Sequence, residues 1–274
     1  MMKTVQIERY FIYNIEGIKA IRKRYRKLKK DGEVKGEYRM AQKKMFQVIF
    51  DMDGVIFDSE KTLLQCWLDT AKKYNIDAEL VRDTYIQCIG TNLNQSTEIY
   101  RNALSAVFDE KQIWNLWEES FALYQKRYPE YVFPLKPGVR EILKYLQDNH
   151  IPVGIASSSA KALVEKEILS AGLSDYFVGC IGGDAVTISK PDPEIYLLAC
   201  RFFHFAPSHT FAIEDSYNGI RSASAAGLRA IMVPDIVEAD AKMERLAERV
   251  CGDLFEVKDY FSAILEEEGK QGIL

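Results

Sequence analysis

This 274-residue chain is short of histidine, of paired cysteines and of long apolar runs. Its five cysteines (Cys66, Cys88, Cys180, Cys200, Cys251) are odd in number, widely spaced and free of any C-x-x-C pair. That pattern argues against a disulfide framework or a zinc site, and it points to a reducing cytoplasm. The three histidines, His150, His204 and His209, lie near helix ends or before a strand and read as structural. No run approaches the roughly 18 apolar residues that span a bilayer. The N-terminus has neither a long apolar h-region nor a small-residue cleavage site, so it does not read as a secretory signal. With 47% hydrophobic and 28% charged residues, the composition is that of an ordinary soluble globular protein. The length allows one or two domains with a substantial core.

Acidic charge is scarce at one end only. Residues 1–45 hold 14 Lys+Arg and 5 Asp+Glu, a balance of +9, leaving 36−14 = 22 basic and 40−5 = 35 acidic residues elsewhere, a balance of −13. Ile18, Ile21, Tyr25 and Leu28 recur there at helical spacing on a basic background, and Asp31-Gly32 would end such a helix. A nucleic-acid arm and a membrane-surface helix are the functional readings. The plainer one, a solvated and partly ordered extension, is the expectation, with no nucleic acid or membrane partner. "KGEYRM" also allows a purine-rich codon stretch ahead of Met40, so translation from Met40 or Met45 is a further reading of this segment.

From residue 46 the pattern becomes short apolar runs separated by helical segments. "FQVIF" (46–50), "PVGIAS" (152–157), "FVGCIGG" (177–183), "TFAIED" (210–215) and "RAIMVP" (229–234) read as strands buried on both faces. Helices are expected over 159–170, 192–204 and 217–226, the first and last closing at Gly172 and Gly227. Such alternation predicts an α/β fold with a doubly wound parallel sheet. Residues 60–134 break it: they show helical periodicity without strand-like runs, and Trp67, Trp114 and Trp117 read as core. The expected organisation is an extension over 1–45, an α/β core over 46–59 and 135–274, and an inserted all-helical module over 60–134. Hinges near 58–62 and 132–137 would let that module move as a lid.

Ligands bind at the carboxyl ends of strands in open parallel sheets. Four polar clusters fall there: Asp51 and Asp53, then Ser157-Ser158-Ser159, then Lys190, then Glu214 and Asp215. Each alone is an acidic turn, an N-cap or an exposed lysine. In order, they complement one another. Converging carboxylates need a cation, and an all-oxygen set suits Mg²⁺. Serines at a helix N-terminus make an anion site, and lysine adds a point charge for phosphate. Together they form a phosphoryl-transfer kit.

"FDMDGVIFDSE", "GIASSS", "SKPDPEIY" and "IEDSYNGI" resemble the four motifs of the haloacid dehalogenase superfamily. The likeness is strongest to the branch with a helical cap after the first strand, which holds sugar-phosphate phosphatases and β-phosphoglucomutases. It implies a Rossmann-like core and residue roles as follows. Asp51 would be the nucleophile that forms an aspartyl-phosphate, and Asp53 the acid and then base. Asp51, the Asp53 carbonyl, Asp215 and Glu214 would hold Mg²⁺. Ser157, the backbone of Ser158 and Lys190 would hold the phosphoryl group. An aspartate at position 53 favours phosphate esters over halides or phosphonates. Mutases of this branch carry a histidine twelve residues after the nucleophile and Lys-Gly-x-x-Arg in the cap. Here stand Leu63 and Ile89-Gly90-Thr91-Asn92-Leu93, so a phosphatase is favoured over a hexose-phosphate mutase. Gly90, Thr91, Asn92 and Asn94 are candidate substrate contacts; the plainer reading is a helix-connecting turn with an N-cap. The expected enzyme is a cytoplasmic, Mg²⁺-dependent monomer acting on a small phosphorylated metabolite. A regulatory protein using the basic arm is the non-enzymatic rival.

Overall fold

The computed structural model describes residues 46–106, 108–129 and 132–270; the basic segment 1–45, with its expected helix and alternative starts, lies outside the described residues. Six strands form one sheet: β1 (Gln47–Phe50), β2 (Val153–Ala156), β3 (Cys180–Ile181), β4 (Thr210–Glu214), β5 (Arg229–Met232) and β6 (Arg249–Val250). Their order is β3-β2-β1-β4-β5-β6, and every pairing is parallel. Parallel neighbours require crossovers. Among the described residues these are helical, including α5 (Val139–Asp148), α6 (Lys161–Ser170), α7 (Glu194–Phe203), α8 (Tyr217–Ala225) and α9 (Ala241–Leu246), with α10 (Leu254–Lys270) closing the fold.

Successive strand residues face opposite sides. On one side Ile49, Ala212 and Ala230 pack with Tyr196 and Ala199 of α7 and Ile220 of α8. On the other, Phe211 meets Phe46 at 5.1 Å and Phe261 of α10 at 4.9 Å. Helices cover both faces, which is why the strands read as continuous apolar runs rather than alternating ones. Two departures concern the sheet's edges. β3 is two residues long where 177–183 was expected, since it bonds only to β2 and sits among Gly179, Gly182 and Gly183. β6 had no apolar run to betray it, because both of its residues are exposed.

Between β1 and β2 the chain leaves the sheet for α1 (Glu60–Lys73), α2 (Ala78–Cys88), α3 (Leu93–Leu104) and α4 (Glu110–Arg127). Side chains cap the starts of three of these helices: Asp77 caps α2, Asn92 caps α3, and Asp109 with Gln112 forms a capping box on α4. Their apolar faces share a separate cluster in which Trp67 stacks on Tyr100 at 4.0 Å and meets the edge of Trp117 at 5.1 Å. The two linkers to this helical cap run side by side. Asp58 N donates to Pro134 O (2.9 Å), Lys136 N donates to Ile56 O (2.9 Å), and Phe57 bridges Leu135 in antiparallel fashion.

The central position of β4 is testable. Ile213 is fully buried, so Ile213→Ala is expected to lower the unfolding free energy by about 2–5 kcal/mol in urea titrations. A loss below about 1 kcal/mol would contradict its place in the core.

Candidate active site

The carboxyl ends of β1, β2 and β4 meet at one spot. Asp51 N donates to Ile213 O at 2.9 Å, which fixes the first aspartate to the neighbouring strand. Past Asp53 the chain turns back at once, with Gly54 at φ +81° and its N–H donating to Phe57 O at 2.9 Å. A Cβ on Gly54 would lie 2.1 Å from Asp215 Oδ2, so only glycine lets this turn close against the fourth motif. Carboxylate oxygens of Asp51, Glu214 and Asp215 fall within 4.8 Å of one another, all buried.

Lys190 reaches this cluster from the loop after β3. It is 0% exposed. Its Nζ donates to Asp51 Oδ1 (2.6 Å), to Glu214 Oε1 (2.6 Å) and to Ala156 O (3.3 Å). Glu214 is held further by Tyr196, whose hydroxyl donates to Oε1 at 2.5 Å, and by Ser216 Oγ, which donates to Oε2 at 3.3 Å. Asp53 is gripped at both oxygens. Ser59 Oγ donates to Oδ1 at 2.8 Å and Ser159 Oγ to Oδ2 at 3.0 Å.

The serine run divides its work. Ser157 Oγ accepts from Ser159 N at 3.0 Å, which leaves its own proton available to a ligand. Ser158 Oγ instead donates to Gly90 O at 2.7 Å, joining the core to the cap. Asn218 Nδ2 makes a second such contact with Ile89 O at 3.0 Å. Gly90, at φ +76°, rests so closely on the core that a Cβ there would lie 2.6 Å from Ser216 Oγ. The other candidate cap residues have local partners. Thr91 Oγ1 donates to Cys88 O (2.7 Å) and meets Ser96 Oγ (2.8 Å), while Asn92 accepts from Gln95 N (3.0 Å) as the N-cap of α3. No hydrogen bond engages the Asn94 side chain, within the first turn of α3, among the described residues. Sequence reasoning placed Ser159 in the serine run without its bond to Asp53, and it passed over Ser59 and Tyr196. All three stand inside the quoted motifs, but their pairing with Asp53 or Glu214 needs the folded turns.

Burial pushes Asp215 well above the ordinary carboxylate range, and the neighbouring charges of Asp51 and Glu214 add to this. Asp51 is likewise raised by burial although Lys190 opposes it. Asp53 is raised by burial, against the pull of Ser59 and Ser159. For Lys190 burial favours the neutral amine, but Asp51 and Glu214 outweigh it and the ammonium is retained. One ammonium faces four carboxyl groups, so their full ionisation would leave an excess of negative charge there. Donors that are all oxygen, with Asp51 and Asp215 both able to face an ion, fit a hard cation such as Mg²⁺. Glu214 fits less freely because its oxygens are already engaged.

Raised carboxyl pKa values set a direction for stability. A group that keeps its proton longer when folded binds more protons in the native state, so stability falls as pH rises from the unfolded toward the folded pKa. Glu60, raised from 4.5 to about 8 by burial and then by Asp53, places that window. In chelator, Tm is expected to fall between roughly pH 5 and pH 8, and Glu60→Gln should flatten the fall. Added Mg²⁺ should raise Tm most at the alkaline end. A Tm that climbs across this range in chelator would contradict the electrostatics.

A family model described as "Haloacid dehalogenase-like hydrolase" matches residues 48–233. A phosphorylated carbohydrates phosphatase of Thermotoga maritima is 29% identical, over 68% of this chain and 84% of its own. A β-phosphoglucomutase of Bacillus subtilis is 30% identical, over 69% of this chain and 83% of its own. The crystal structure of a β-phosphoglucomutase from Clostridium difficile superposes with a TM-score of 0.63 at 22% identity, covering 84% of this chain and all of that one, a likeness of fold. With the family model spanning β1 to the end of β5 and a helical cap inserted after β1, this chain belongs to the haloacid dehalogenase-like hydrolase family, in its β-phosphoglucomutase and sugar-phosphatase branch.

Proposed function

We propose that the protein hydrolyses small phosphorylated metabolites, sugar phosphates foremost, by way of a phosphoryl group carried on Asp51. The enzyme is a phosphoric monoester hydrolase of the haloacid dehalogenase type; the reading here adds its substrate class, its ion and its intermediate. The observation that carries it is Lys190, buried between Asp51 and Glu214, with Asp53 clamped two residues further on.

Lys190 occupies Oδ1 of Asp51, so Oδ2 is the oxygen left to attack phosphorus. As the Oδ2–P bond forms, the bond from phosphorus to the alcohol oxygen breaks, and protonated Asp53 gives its proton to that departing oxygen. Ser59 and Ser159 keep Asp53 from swinging away during the transfer. Ionised Asp53 then takes a proton from water. The water oxygen bonds to phosphorus, the Oδ2–P bond breaks, and inorganic phosphate leaves. Ser157 Oγ and the backbone N–H of Ser158 would hold the phosphoryl oxygens, since the Ser158 hydroxyl is spent on Gly90. Asp51, Asp215 and the Asp53 carbonyl, with Glu214 beside them, would hold Mg²⁺, which when bound offsets the phosphoryl charge.

Both a phosphatase and a mutase are relatives at nearly equal identity, so kinship does not separate the two. Two features of this chain support hydrolysis. Leu63 packs on the cap's apolar cluster where the mutases carry histidine. The cap loop 89–93 has no charged side chain to clamp a second phosphate.

With p-nitrophenyl phosphate and Mg²⁺, turnover is expected in the wild type and loss to background in Asp51→Asn. Asp53→Asn should lower kcat by about 10²–10⁴-fold, the usual worth of a positioned acid–base. Borohydride trapping during turnover should convert Asp51 alone to homoserine, read by peptide mass. Full activity in Asp51→Asn, or C1–C6 transfer on a hexose without phosphate release, would sink the reading.

A further inference from the structure

Glu60 opens α1, directly after the serine that holds Asp53. An acid in the first turn of a helix ordinarily faces solvent and gains from the dipole. Here it turns inward. Its Oε2 accepts from the hydroxyl of Tyr85, a residue of α2 only 4% exposed, while Oε1 has no hydrogen-bond partner among the described residues. Its neighbours in charge are Asp53 and Asp235.

Exposure tells the same story. Asp51, Ser59, Glu214 and Asp215 are buried, whereas Asp53 and Glu60 stay partly open. Those two carboxyl groups are thus within reach of solvent. In the mechanism proposed above Asp53 serves the ester oxygen, and Glu60 is its neighbour in charge. Two cations lie close by, but neither is free. Lys61 pairs with Asp235 at 2.8 Å, and Lys136 pairs with the same oxygen.

We propose that Glu60 is the specificity-determining residue for the alcohol half of the substrate. Its open Oε1 pairs with a hydroxyl on the carbon next to the phosphorylated one, so the enzyme selects phosphate esters of vicinal diols over those of simple alcohols. The inference rests on the hydrolytic reading above and deepens it. A hydroxyl both donates and accepts, so it pairs with Glu60 in either protonation state, whereas an ammonium pairs only with the carboxylate. A second phosphate would add negative charge beside Asp51, Asp53 and Asp215. Tyr85 is a positioning residue that holds Glu60 by its other oxygen.

The test compares kcat/KM for glycerol 1-phosphate, n-propyl phosphate and p-nitrophenyl phosphate in wild type, Glu60→Gln and Glu60→Leu. The wild type is expected to favour the glycerol ester over the propyl ester by at least about tenfold, since a site that bonds a hydroxyl rejects the analogue lacking it by up to about 10⁴–10⁵. Glu60→Leu should bring that ratio to within about threefold of unity, and Glu60→Gln, still a hydrogen-bonding side chain, should keep most of it. p-Nitrophenyl phosphate, which carries no such hydroxyl, is the reference for each variant, and the ratio of glycerol ester to nitrophenyl ester should fall in Glu60→Leu. A ratio untouched by Glu60→Leu overturns the proposal, as does a wild type indifferent to the hydroxyl. An equal fall for all three esters in both variants makes Glu60 structural and overturns it too. A wild type inert toward p-nitrophenyl phosphate would instead overturn the hydrolytic reading.

Discussion

The buried ammonium of Lys190 is the interaction on which the rest of the site depends. An isolated charge in such a place is untenable, and removing one partner of a buried pair typically costs about 3–5 kcal/mol. Here three acceptors surround it, two of them carboxylates. Glu214 is then fixed from behind by Tyr196 and Ser216. The arrangement leaves Asp51 with one oxygen occupied and the other unspent. It also leaves the cluster rich in carboxyl groups, a set that could hold a divalent ion. In the proposed mechanism, positioning of the nucleophile and demand for the metal arise from one pairing.

Core and cap divide the remaining work. The sheet supplies strand ends, so Asp51, Asp53, Ser157, Glu214 and Asp215 lie at or within a few positions of β1, β2 and β4, and Lys190 joins them from the loop after β3. The cap supplies Glu60, Tyr85 and the loop at Gly90, which meets Ser158 and Asn218. A relative named as a phosphatase of phosphorylated carbohydrates and another named as a mutase are similar to this chain at nearly equal identity.

Much of this was legible beforehand. Strands buried on both faces announce themselves as apolar runs, and β1, β2, β4 and β5 fall within a residue or two of the expected spans. The motif residues declare their place because each follows such a run. Edges were harder: β3 is cut short by glycines and β6 is polar, so neither had a clear apolar signal. The cap loop was read two ways, and the turn with an N-cap describes what Thr91 and Asn92 do. Ser59, Ser159 and Tyr196 were invisible as anchors because their partners lie on other turns of the fold. Glu60 was hidden differently. An acid at a helix start looks the same in sequence whether it faces water or the active site.

The paired linkers carry a consequence for how such a protein can change. Because residues 56–58 and 134–136 bond to each other, the cap leaves and rejoins the core through neighbouring backbone positions. Seen from the sheet, the whole helical excursion is a hairpin whose ends are already closed. Loop-closure entropy grows only slowly with length, so the core is nearly indifferent to how much chain hangs there or what it encodes. New selectivity can be written into that excursion without disturbing the strand ends that carry Asp51, Ser157 and Asp215. One chemistry can thus be lent to many substrates by exchanging a single insert.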